Sequence, residues 1–317
     1  MRVVSLLPSA TEMLYALGVE PVAVSHECDY PPAARELPSV IDTRIDPGAS
    51  SAAINEQVAD AEEAGGVYEI DRDLLAELDP DVVVSQGICD VCAVDDSAIR
   101  QAVAELSLDA RIITSDPHSL ADVFADLERL GDVLGREAAA SDVVADLQSR
   151  VDAVTESTPS ADEGPRVAVL DWLDPVMAAG HWVPGLIERA GGSYGLAEAG
   201  DRSTPREWEE IRAYDSEVVI AAPCGFGVDQ TLDNRADLSD RAGWRDLTAV
   251  EEDRVYIMDG HHYVNRPGPR LVDTLELFAD VLHRSAELPE EAVVEWPALS
   301  GETAGGDARE EAPESRS

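Results

Sequence analysis

The chain of 317 residues is long enough for two domains of ordinary size and carries 65 acidic against 23 basic residues, a formal net charge of −42. So acidic a balance excludes nucleic acid and anionic membrane surfaces as partners, because both demand basic patches. A hydrophobic content of 44%, arranged in periodic apolar runs, excludes disorder driven by charge.

Every basic residue is arginine, and the acid is dispersed along the chain. This pattern fits a protein kept soluble where salt screens repulsion, and it predicts an extreme halophile as host. No run approaches the ~18 apolar residues of a membrane helix, so no membrane insertion is expected. Met1-Arg2 leads directly into an apolar segment too short for the core of a signal peptide. As written, the sequence predicts a cytoplasmic protein, or an extracytoplasmic one if the start is mis-assigned. Its four cysteines are expected to be reduced thiols.

Taken in order, residues 3–7 read as a strand, followed by Pro8-Ser9-Ala10-Thr11-Glu12 and a helix carrying Met13, Leu14 and Leu17 up to Gly18. Ser9 with Glu12 has the spacing of a capping box. A strand at 22–25 runs into His26-Glu27-Cys28-Asp29-Tyr30. Residues 72–78 read as a helix, Asp79-Pro80 as a turn, 81–85 as a buried strand leading to Cys89 and Cys92, and 111–114 as a further strand. From about 119 the apolar residues recur every three or four positions in two successive helices. Some 20 residues of helix would span ~30 Å, enough to cross between lobes. After a polar break at 158–165 the strand-helix grammar returns. Residues 167–170 form a strand, Asp171-Trp172-Leu173-Asp174-Pro175 a turn presenting an indole, and Pro184 opens a helix ending at Gly191-Gly192.

Residues 73–84 and 209–220 match in pattern at a constant offset, a weak internal repeat implying that two lobes share one topology. The expected organisation is an N-terminal α/β lobe (1–116), linker helices (117–158), a C-terminal α/β lobe (164–288) and a disordered acidic tail (299–317).

The unusual residues cluster beyond strand ends, where α/β sheets bind ligands. Phosphate-loop, dinucleotide and nucleophile-elbow motifs are missing, so no catalytic residue is assigned. Asp259-Gly260-His261 begins like a cobalt-ligating histidine loop but lacks the glycine that would follow. Cys28, Cys89, Cys92 and Cys224 fall on the same edge and form a candidate metal or redox set, weighed against small buried thiols that merely pack loops.

Four segments carry a family resemblance: Ser5-Leu6-Leu7-Pro8-Ser9-Ala10-Thr11-Glu12, Ser25-His26-Glu27-Cys28-Asp29-Tyr30-Pro31, Ala179-Gly180-His181-Trp182-Val183-Pro184 and Asn265-Arg266-Pro267-Gly268-Pro269-Arg270. Together they resemble the cobalamin-binding branch of the Fe/B12 periplasmic-binding-domain family, the solute-binding proteins of ABC importers for vitamin B12 and siderophores, here of haloarchaeal type. The resemblance covers about residues 1–285. It implies an α/β fold of two Rossmann-like lobes joined by a long helix, of the class III periplasmic-binding-protein kind. It further implies a monomer without catalysis or required cofactor, with cobalamin or a related corrinoid bound between the lobes. The ligand-contacting residues it implies are Pro8, Ser9, Ala10, Thr11, Trp172, Gly180, His181 and Trp182. An ABC permease would meet Asp73 and Glu209. The alternatives are an intracellular corrinoid- or metal-handling enzyme or chaperone using the cysteines, and a binder of another iron chelate.

Overall fold

The computed structural model describes residues 1–63, 66–88, 94 and 96–297; Cys89, Cys92 and the expected tail lie outside the described residues. The first half runs β1 (Val3–Ser5), α1 (Pro8–Ala16), β2 (Val24–Ser25), β3 (Ser39–Thr43), α2 (Ser51–Glu63), β4 (Tyr68–Ile70), α3 (Arg72–Leu78), β5 (Val82–Gln86), α4 (Asp96–Glu105) and β6 (Arg111–Ser115). Two long helices follow, α5 (Leu120–Leu134) and α6 (Glu137–Ser157). The second half runs β7 (Val167–Leu173), β8 (Val176–Ala178), α7 (Val183–Arg189), β9 (Thr204–Pro205), α8 (Trp208–Tyr214), β10 (Val218–Ala221), α9 (Val228–Asp233), α10 (Ala236–Ser239), α11 (Thr248–Glu251), β11 (Val255–Met258), a π-helical turn (Gly260–Val264), α12 (Leu271–His283) and β12 (Val293–Glu295).

In the first lobe β5 lies between β1 and β6, all parallel, and a parallel bridge from Val4 to Ala23 joins this sheet to the order β2-β3-β4. Its two faces are both covered. Val3, Val82 and Val84 pack toward α1, α5 and α6, whereas Val4, Leu6 and Val83 pack with Leu75 and Ile99 of α3 and α4. The second lobe's sheet has the order β12-β11-β10-β7-β8-β9, with β7, β10 and β11 parallel and the remaining pairings antiparallel. Both sheets are therefore mixed, more so than strand-helix alternation alone implies.

The repeat is real at the level of topology. β5 sits between β1 and β6 as β10 sits between β7 and β11. Helices α3 and α8 start 136 residues apart and both end on a left-handed aspartate, Asp79 at φ 40° and Asp215 at φ 46°. Helix α6 connects the lobes. Its stripe Ala140, Val144, Leu147, Val151 and Val154 is buried, and it touches α1 of the first lobe and α7 and α12 of the second.

Two local expectations are corrected. Ser9 and Glu12 form no capping box: Leu7 is the N-cap, and Ser9 lies inside α1. Pro8 opens that helix, a position where its missing N–H is not needed. Residues 171–173 are not a turn. β7 continues to Leu173 and pairs antiparallel with β8, Trp172 against Met177 and Leu173 against Val176, because the ladder satisfies backbone groups that a turn here would leave buried.

Helices α5 and α6 approach at Gly131, where an added Cβ would stand 2.6 Å from the Ala140 Cβ. Gly131→Val should therefore lower stability by about 1–3 kcal/mol through overpacking. Urea denaturation should show a lower midpoint with an unchanged slope.

Candidate functional site

Among the described residues, side-chain hydrogen bonds join the first half to the second in three places. On one flank, beyond β6, His118 Nδ1 lies 3.1 Å from the Gly200 carbonyl oxygen, and its ring centroid is 5.7 Å from that of His181. On the opposite flank, the start of α2 meets α9 and α10. There Gln230 Nε2 donates to the Pro47 carbonyl at 2.7 Å, and the Ser51 hydroxyl donates to the Asp237 carboxylate. The third contact is a buried ionic junction.

That junction joins α1 and the loop after β2 to the π-helical turn and the start of α12. The Arg270 guanidinium donates twice to Glu12, at 2.5 and 3.0 Å, and stacks 4.1 Å above the Tyr30 ring. Arg266 donates to Asp29 Oδ1 at 2.5 Å and to His261 Nε2 at 2.8 Å, and lies 3.5 Å from Glu12. His262 donates from Nδ1 to Asp259 at 2.7 Å and from Nε2 to Asp29 Oδ2 at 2.8 Å. Glu12 and Arg266 retain only 2% and 5% side-chain exposure. Two-point arginine–carboxylate contacts of this kind fix orientation as well as charge. Burial raises the Asp29 carboxyl, but the neighbouring His261, His262 and Arg266 side chains outweigh it and hold the group well below the usual carboxylate range. The Asp259 and Asp29 carboxylates push the His262 imidazole up to about 9, so it bridges the lobes as a cation at neutral pH. Burial pushes Glu12 up, and the contacts of Arg270 and Arg266 oppose that.

The ligand-contacting residues expected from the sequence divide between surface and interior. Pro8 is half-buried; Ser9, Ala10 and Thr11 are buried in α1. Thr11 Oγ1 lies 2.8 Å from Ser5 Oγ and 3.1 Å from Cys28 Sγ. Trp172 is half-buried on β7. Its indole N–H donates to the Asp174 carbonyl, and its ring lies 5.3 Å from Phe226. Trp182 is buried at 7% exposure and donates to the Val264 carbonyl at 2.8 Å, tying α7 to the π-helical turn. Gly180 is a close-packing position, since an added Cβ would stand 2.3 Å from the Asp201 carbonyl oxygen. Beside it His181 takes φ 52°, and its buried Nδ1 has no hydrogen-bond partner. Burial pushes its pKa down, with His118 and Arg202 acting in the same direction, which keeps the ring neutral.

Asp73 and Glu209 are exposed in the first turns of α3 and α8. Neither caps its helix: Asp71 accepts from the Leu74 N–H, and Glu207 with Glu210 forms the capping box of α8. Of the four cysteines, Cys28 is buried and its thiol is pushed up to about 12, chiefly by burial, so it is held as a thiol rather than a metal-binding thiolate. Cys224 is half-buried in the loop after β10. Sequence reasoning missed the pairing of Glu12, Asp29 and Arg266 altogether. The usable signal was opposite charge in the two apolar-flanked motifs, SLLPSATE and NRPGPR, which a single sequence cannot place face to face.

A sequence model of the family described as periplasmic binding protein matches residues 3–261. An uncharacterised ABC transporter substrate-binding lipoprotein of Bacillus subtilis strain 168, YvrC, is 25% identical over 289 residues, covering 89% of this chain and 80% of that protein. Among solved structures, the periplasmic vitamin B12 binding protein BtuF of Vibrio cholerae superposes with a TM-score of 0.63 at 22% identity, covering 89% of this chain and 96% of its own. A periplasmic heme binding protein of Pseudomonas aeruginosa superposes with a TM-score of 0.68 at 21% identity, covering 95% and 99%.

Replacing Glu12 by Leu would strand the buried Arg270 guanidinium, while Arg266 would keep Asp29. The expected loss is on the order of 3–5 kcal/mol, the usual cost of breaking a buried pair by removing one partner. The double variant Glu12→Leu/Arg270→Met should recover a substantial part of it. A double-mutant cycle by urea denaturation measures the coupling, and additive losses would show that the pair is not coupled.

Proposed function

The chain belongs to the periplasmic binding protein family, and from that premise we propose that it captures a cobalamin-type corrinoid between its lobes and presents it to an ABC permease. It is a solute-binding protein rather than an enzyme, and capture needs no cofactor. The observation that carries the corrinoid reading is the convergence of the four segments that resemble the cobalamin-binding branch. SLLPSATE supplies Glu12, SHECDYP supplies Asp29 and Tyr30, NRPGPR supplies Arg266 and Arg270, and Trp182 of AGHWVP packs under the same turn. The lobe arrangement thus depends on the residues that mark the branch.

In this reading the ligand sits between the two flanking contacts, where β1, β5, β7 and β10 end. Pro8 and Trp172 supply accessible surface. The Trp172 indole N–H is already satisfied internally, which leaves its ring free to lie against a large planar macrocycle. His181 borders the same space with a neutral ring, while Ser9, Ala10, Thr11, Gly180 and Trp182 shape its walls from behind. Asp73 and Glu209, equivalent positions on the two lobes and free of capping duty, offer one acid each to the permease. The lipoprotein nature of YvrC favours an extracytoplasmic place of work.

Calorimetric titration of the full chain with cobalamin, cobinamide, heme and a ferric hydroxamate tests the reading. Micromolar or tighter binding is expected for a corrinoid, and Trp172→Ala should weaken it by about tenfold, or about 1.4 kcal/mol. Binding of heme or hydroxamate without either corrinoid would overturn the choice of ligand. Because the surface charge is so one-sided, raising salt from about 0.1 M to about 1 M, which shortens the Debye length from ~10 to ~3 Å, should raise the melting temperature. A melting temperature that falls with salt would count against the halophilic reading.

A further inference from the structure

We infer that Asp29, His261 and His262 form a binding site for a borderline divalent cation of the zinc class, which clips the two lobes together. Among the described residues these three present ligand atoms that all lie within 4.8 Å of one another. Asp29 Oδ2 is 2.8 Å from His262 Nε2 and 3.5 Å from His261 Nε2. Metal–ligand bonds of roughly 2.0–2.2 Å in tetrahedral or octahedral geometry put neighbouring ligand atoms roughly 3–3.5 Å apart, so the carboxylate and both imidazoles already stand near coordinating separations.

The outer shell fits as well. A metal-bound imidazole keeps its orientation by donating its other N–H to a carboxylate. His262 Nδ1 does so to Asp259 Oδ2 at 2.7 Å, and the His262 backbone N–H donates to Asp259 Oδ1 at 2.7 Å. Asp259 itself is buried. The turn that presents both histidines is fixed at Gly260, where an added Cβ would stand 2.1 Å from the Pro223 carbonyl oxygen.

Two imidazole nitrogens and one carboxylate oxygen select zinc, cobalt or nickel over calcium and magnesium, which prefer all-oxygen shells. Arg266 is the competitor. It holds Asp29 through Oδ1 and leaves Oδ2 to face the histidines, but its contact with His261 Nε2 must be released. The guanidinium then retains Asp29 Oδ1 and the Glu27 carbonyl. In charge terms, the cation takes the place of the proton that His262 Nε2 shares with Asp29, beside the carboxylates of Glu12 and Asp259. Side-chain exposures of 16% for Asp29, 24% for His261 and 34% for His262 leave a path for an ion to enter. Asp29 belongs to the first lobe and both histidines to the second, so the site is complete only in the joined arrangement and its occupancy stabilises that arrangement.

The test uses the full chain after treatment with a chelator. Zinc is titrated calorimetrically, and cobalt(II) serves as a spectroscopic probe. One ion per chain is expected, with a visible cobalt spectrum free of the thiolate charge-transfer band in the near ultraviolet. His261→Gln and, separately, Asp259→Asn should each weaken zinc binding by about 10–100-fold. Cys89→Ser/Cys92→Ser should bind as wild type does. Zinc should raise the melting temperature of wild type and leave that of His261→Gln unmoved. No zinc binding, a thiolate band, or unchanged affinity in His261→Gln would each overturn the site. The cobalt spectrum of the wild type decides even if a variant fails to fold. None of these readouts involves a corrinoid, so they stand or fall apart from the ligand reading.

Discussion

The arrangement of the two lobes depends on one buried ionic junction. Glu12 and Asp29 come from the first lobe, Arg266, Arg270 and His262 from the second. A buried ion pair adds little net stability, because desolvation offsets most of the attraction. Its consequence is specificity: a shifted lobe would leave charges buried and unpaired, at several kcal/mol. The backbone enforces the same register, since a Cβ on Gly268 would come within 3.3 Å of the Ser9 Cα. The contacts on either flank, His118 with Gly200 and Gln230 with Pro47, join the same two lobes.

The charge on this protein therefore acts in two regimes. Across the surface, dispersed acid repels itself over a distance that salt shortens. At the junction, the same residue types are withdrawn from solvent, screened far less, and matched one against another. A chain of net charge −42 with only 23 arginines places two of those arginines there. One of them, Arg270, also covers the ring of Tyr30.

Much of the fold was legible in advance because its signals are local. Apolar runs marked β5 and β7, the three-and-four spacing marked α5 and α6, and a constant offset exposed the repeat that α3 and α8 share. The elements between residues 39 and 70 went unread, since β3 and β4 set their apolar residues among polar ones and α2 lacks a clear apolar stripe. Residues 171–173 misled because aspartate, tryptophan and proline in sequence look like a turn, whereas the partner that makes them a strand, β8, matters only once the chain has folded back. Ser9 and Glu12 misled similarly. Their spacing satisfied a local rule, and a distant arginine claimed the glutamate.

The sequence by itself determined the α/β class, the connecting helices, the acidic surface and the segments that carry the family likeness. These follow from periodicity, composition and short motifs, all properties of neighbours along the chain. Only the tertiary structure decided what those segments do. It turned Trp182 and Thr11 inward as packing groups, left Trp172 half-buried on β7 and set His181 beside His118 of the first lobe. It also brought Asp29 to His262 across 233 positions of sequence. The physical reason is that charge pairing and metal-ligand geometry act through space over a few ångströms, and the distances between facing loops are set by how two sheets and one long helix pack.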